Sequence, residues 1–86
     1  MSKETVLFKS ESQKSIQEIV DFLMLVADKL SQEGAFHVTQ GEQEFEIRPE
    51  GRTKLELKYE TKGEKQKFEI EIEWNPAQSN EKVMIK

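Results

Sequence analysis

His37 is the only imidazole in the chain, and there is no cysteine. General acid–base chemistry near neutral pH would therefore fall to His37 together with carboxylates. His37 lies in Phe36-His37-Val38-Thr39, where alternation puts it on the solvent side of a strand, near Glu46 across a hairpin. A surface histidine beside an acid is the simplest reading. No nucleophile elbow, phosphate-binding loop or zinc-binding helix spacing occurs. Without thiols there is no disulfide framework and no thiolate metal site. The expectation is a chain with no enzymatic activity, no resident metal and no cofactor.

Carboxylates are the more abundant chemical resource. Glu44, Glu46, Glu56, Glu69, Glu71 and Glu73 occupy alternate positions and would share one face of a sheet. Such a face suggests a divalent cation site or a surface for a basic partner. Calcium sites, however, usually gather several oxygens from a shaped loop, whereas here Lys54 and Lys58 interleave with the acids. The expectation is a solvated, mixed-charge face. His37, Glu46, Glu69, Glu71 and Glu73 remain candidates for an interaction surface.

The elements that position these residues follow from periodicity. Lys67 to Trp74 alternates charged and apolar residues without a break, so Phe68, Ile70, Ile72 and Trp74 share one face of a strand. The opposing strand is expected over residues 53–59, with Leu55, Leu57 and Tyr59 on the same inward face. Charge pairing favours a register that sets Glu60 against Lys67, Lys58 against Glu69 and Lys54 against Glu73. That register implies a four-residue loop, Lys62 to Lys65. Only Glu56 against Glu71 is unfavourable. Upstream, Gly41 marks a tight turn that pairs Phe36 and Val38 with Ile47 and Phe45.

Before the strands, Ser15-Ile16-Gln17-Glu18 has capping-box spacing. Ile19, Val20, Leu23, Val26, Ala27 and Leu30 then recur at helical intervals up to Gly34, which predicts a helix over 16–32. Thr5 to Lys9 is short and β-prone, predicting a first strand. The fold class is thus α+β, in the order β-α-β-β-β-β, with a four- or five-stranded antiparallel sheet carrying one helix on one face. Trp74 continues the inward row and is expected in the core. Pro49-Glu50-Gly51 is a loop.

Three residues do not fit that single core face. Six consecutive apolar residues run from Phe22 to Ala27. At 100° per residue, Leu25 lies roughly opposite the centre of the stripe, Met24 well off it, and Phe22 on its other flank. Their cover is either the terminal Val83-Met84-Ile85 cluster or a second copy in a homodimer.

Ser15 and Glu18, then Phe22-Leu23-Met24-Leu25-Val26-Ala27-Asp28-Lys29-Leu30, then Glu69-Ile70-Glu71-Ile72-Glu73-Trp74, together resemble the amphi-Trp domain family, small prokaryotic proteins of unassigned activity. The similarity spans residues 15–74. Met24 and Leu25 depart from it, since polar residues are the family's pattern there. The resemblance implies no catalytic residues.

Length and charge bound the rest. Eighty-six residues make one domain, taken as 1–74 with a tail of 75–86 that is either flexible or packed on the helix. A formal net charge of −4 disfavours nucleic acid as a partner. No run approaches the roughly 20 apolar residues of a membrane span. The chain is expected in the cytoplasm, as a protein-interaction or scaffolding module with an unidentified protein partner. The alternative is an accessory enzyme subunit or small-ligand binder that uses the polar sheet face.

Overall fold

The computed structural model describes residues 3–76. The tail cluster Val83-Met84-Ile85 lies outside the described residues. The chain divides into two compact units, residues 1–48 and 49–86.

The first unit is built on helix α1, Ile16–Glu33. Its start is fixed by the expected capping box: Ser15 Oγ accepts from the Glu18 amide at 3.1 Å, and Glu18 Oε1 accepts from the Ser15 amide at 2.9 Å. Two amides that the helix leaves without partners are thereby satisfied. Its end is fixed by Gly34 at φ 72°, whose amide donates to the Leu30 carbonyl at 3.0 Å. A side chain is disfavoured in that left-handed conformation, which suits glycine. The chain then enters β1, Phe36–Gln40, and returns through β2, Gln43–Ile47. The ladder runs Phe36↔Ile47, His37↔Glu46 and Val38↔Phe45, closing at Gln40↔Gln43. Gly41 takes φ 63° at the first turn position, as a primed hairpin turn requires. Ala35, at the joint between helix and β1, is 1% exposed and is the only buried apolar residue among those described.

The second unit is a long hairpin, β3 Lys54–Lys62 and β4 Lys65–Glu73. Its register is the one that charge pairing favours: Glu60↔Lys67, Lys58↔Glu69, Lys54↔Glu73, with Glu56↔Glu71 opposed. The ladder reaches Lys62↔Lys65, so the loop is two residues, Gly63-Glu64, and not four.

The α+β class stands, but two expectations about the sheet do not. The strands form two separate two-stranded antiparallel sheets, β1-β2 and β3-β4, instead of one sheet of four or five. Pro49 follows β2 closely and has no amide to donate, so it cannot extend a ladder. The backbone then bends at Gly51 and Arg52, where Thr53 Oγ1 donates to the Gly51 carbonyl at 3.4 Å. Residues 5–9 are not a strand. They are held by side chains: the Phe8 ring meets Phe45 at 6.2 Å, and the Lys9 carbonyl accepts from Gln40 Nε2 at 3.0 Å. Nor are the inward rows of the second unit buried among the described residues. Leu55, Leu57, Tyr59, Phe68, Ile70 and Ile72 do share one face, but all are exposed. Trp74 lies just beyond β4 and is half-buried.

Candidate interaction surfaces

Beginning with the polar groups of the first unit, β1 and β2 set His37 directly opposite Glu46, as the alternation predicts. His37 Nε2 lies 3.7 Å from Glu46 Oε2. The shorter contact to that carboxylate comes from Arg48, whose Nη2 donates to it at 3.2 Å. The Arg48 hydrogen bond and charge hold the Glu46 carboxyl below the usual glutamate range, with a smaller contribution from His37. Such a carboxylate is a poor proton acceptor near neutral pH. Arg48 also donates through Nη1 to the Glu33 carbonyl at 3.3 Å. The last turn of α1 has no basic residue of its own, so Arg48 brings positive charge to the negative end of the helix dipole. Neither alternation nor helical spacing relates Arg48 to Glu33, so the contact has no signal in the sequence.

The second unit carries the other acids. Glu69, Glu71 and Glu73 line the polar face of β4, with Glu56 opposite Glu71. The Glu71 carboxyl is pushed above the usual range, first by its hydrogen-bonding contact with Glu56, then by the charges of Glu56, Glu69 and Glu73. Lys67 lies 3.7 Å from Glu69, Lys58 3.3 Å from Glu60 and Lys54 3.7 Å from Glu56. Lys58 is raised above the ordinary lysine range, chiefly by its hydrogen bond to Glu60. The expected single carboxylate face is therefore divided: Glu44 and Glu46 belong to one hairpin, and Glu56, Glu69, Glu71 and Glu73 to the other. Among the described residues, no three of His, Cys, Asp or Glu are grouped so as to hold a metal ion.

The apolar surfaces are more extensive. On α1, Phe22, Met24 and Leu25 are 56%, 61% and 57% exposed, more open than the stripe residues Ile19, Val20 and Leu23. Helical geometry separates the three. Phe22 lines a groove of about 820 Å³ with Phe8, Ile19 and Val38, whose rim carries Glu11, Lys14, Glu18 and Asp21. Met24 and Leu25 do not line that groove. Alternation alone places Phe8 in a short strand, whereas its place in the groove depends on the long-range meeting with Phe45. The second unit presents the apolar face of β3-β4. Trp74 sits at one end of this hairpin in a shallow cleft with Arg52, Thr53, Lys54, Asn75 and Pro76. No helix among the described residues is long and apolar enough to cross a membrane.

Comparison with known proteins gives one match. The family model of the Amphi-Trp domain matches residues 1–86, the whole chain, extending at both ends beyond the 15–74 span on which the sequence resemblance rests. No curated protein and no solved structure matches.

Proposed function

We propose that this chain, which belongs to the Amphi-Trp domain family, works as a protein-interaction or scaffolding module without enzymatic activity, in the cytoplasm. The observation that carries this reading is the amount of apolar surface left open on regular elements: Phe22, Met24 and Leu25 on α1, and one whole face of β3-β4. Exposed apolar residues in contiguous sets mark protein contact sites far more than scattered ones do. The polar groups support the same reading. His37 and Glu46 are tied into a contact with Arg48 on the hairpin surface. The net charge of −4 favours a protein partner over nucleic acid.

A second reading has one observation in its favour. Glu56 and Glu71 face each other across the ladder, with Lys54 reaching only the Glu56 side at 3.7 Å, and a small cationic ligand would relieve the remaining repulsion. This is the accessory-subunit or ligand-binder alternative on the polar face.

Affinity capture from the native lysate, read by mass spectrometry, separates the two. The expected result is a defined set of proteins retained by wild type and reduced by a Met24→Glu, Leu25→Lys double substitution or by a charge placed on the β3-β4 face. Capture that neither variant changes, with a small molecule copurifying, would overturn the interaction reading.

A further inference from the structure

We infer that the apolar face of the β3-β4 hairpin is a self-association surface, covered by the same face of a second copy of the chain about a twofold axis. This rests on the interaction reading above and names its partner.

The unit demands a cover. A lone two-stranded hairpin is marginal in water and needs a further layer against its apolar face. Here Leu55↔Ile72, Leu57↔Ile70 and Tyr59↔Phe68 stack as three cross-strand pairs on one face. Their exposure runs from 45% at Ile72 to 66% at Tyr59.

Charge selects the partner. The strand positions on this face contain no ionisable acid or base except the Tyr59 phenol, with Thr61 and Gln66 completing the row toward the turn. The phenol already donates to Gln66 Oε1, so it can leave water with its donor satisfied. A face without charge can stack on its own copy without opposing like charges. The opposite face is less suited, because Glu56, Glu69, Glu71 and Glu73 lie there with Lys54, Lys58 and Lys67, and covering it would strip water from those charges. The outer surface of α1 is less suited too: Met24 and Leu25 have Asp21 and Asp28 within one turn on either side, and covering them would strip water from those carboxylates.

Area agrees. At about 200 Å² for a large apolar residue, the six side chains at their observed exposure offer roughly 700 Å² per copy. Two copies would bury roughly 1,400 Å², within the range of about 1,200–2,000 Å² for a stable protein interface. Isologous packing of one patch on itself is the arrangement a twofold axis provides.

Sedimentation velocity on the full chain tests this. Wild type should sediment at twice the 10.1 kDa chain mass. Leu57→Lys with Ile70→Lys should weaken association at least about 100-fold, while Met24→Glu with Leu25→Lys should leave it unchanged. A chain without native cysteine allows a second measurement that does not depend on a disruptive variant. Ile70→Cys should be joined to its copy by a short bis-maleimide, and Glu71→Cys on the opposite face should not. Three results overturn the inference: a monomer at high concentration, dissociation by the helix variant instead of the hairpin variant, or an Ile70→Cys thiol that is shielded on a monomer, which would mean that the chain covers its own hairpin. Should any of these occur while partner capture persists, the interaction reading survives and the self-association surface falls. If capture is also lost, both fall.

Discussion

Replacing Ser15 with alanine removes an acceptor on which the start of α1 depends. Ser15 Oγ and Glu18 Oε1 each satisfy the other residue's amide, at 3.1 and 2.9 Å. Ile16 beside it is 75% exposed, and the nearest further side-chain bond is Gln17 Nε2 to Asp21 Oδ1 at 2.9 Å. The other end is anchored by the Gly34 cap, the Arg48 guanidinium on the Glu33 carbonyl and buried Ala35. Losing an N-cap serine costs about 1 kcal/mol. For a domain of this size that is a drop of about 4–8 °C in melting temperature, measured at fixed protein concentration because association would shift it. One kcal/mol is also roughly a fivefold change in the opening equilibrium. Hydrogen exchange should therefore quicken about fivefold at the amides of residues 17–20 and hardly change at residues 28–34. Because the two bonds are reciprocal, Ser15→Ala and Glu18→Ala together should cost less than the two separate losses combined, by about 0.5 kcal/mol. Equal acceleration along the whole helix would refute the claim that its two ends are held independently. Strict additivity would refute the reciprocal box.

Three further outcomes are expected. Glu71 has a folded-state pKa above its unfolded value, so its favourable contribution is complete below the ordinary glutamate range of about 4.3 and is lost as pH rises through the raised value; Glu71→Gln should raise the melting temperature at pH 7 and remove that part of the pH dependence. Glu46 has the opposite sign: its contribution is present above the ordinary range and lost as pH falls through the lowered value; in Arg48→Ala, the Glu46 carboxyl should titrate at higher pH by carbon-detected NMR. Trp74→Ala should cost about 2 kcal/mol, short of the 3–5 of a fully buried aromatic, because the ring is half-buried; denaturant midpoints check this, and a change near zero would remove Trp74 from the packed end of the hairpin.

What was legible in the sequence was local. The Ser15–Glu18 spacing, the stop at Gly34 and both hairpin registers depend on neighbours within a few positions or across a tight turn, and the structure has all of them. The joining of the hairpins into one sheet required a ladder across the connection at 48–53, and no local rule decides that. Charge pairing fixed the β3-β4 register but not its loop, because extending both strands to Lys62 and Lys65 leaves every cross-strand pair unchanged. The sharing of a face by Leu57 and Ile70 was equally plain, whereas the openness of that face was not, since alternation reports direction and not what lies beyond. The groove was missed because Phe8 is brought beside Phe45 from far along the chain, and Arg48 because its partner carbonyl belongs to the backbone.

Both ladders close between consecutive strands, at Gln40↔Gln43 and Lys62↔Lys65. This has a consequence for the time course of folding. Each hairpin can zip from its turn, and the helix from its cap, without first closing a long loop, so the entropic barrier for each piece is small. Elementary steps of this kind take about 0.1–10 μs. A stopped-flow experiment should accordingly find most of the helical signal regained within the dead time. Any slower phase would then report the covering of the open apolar face and should quicken with protein concentration if the cover is a second chain.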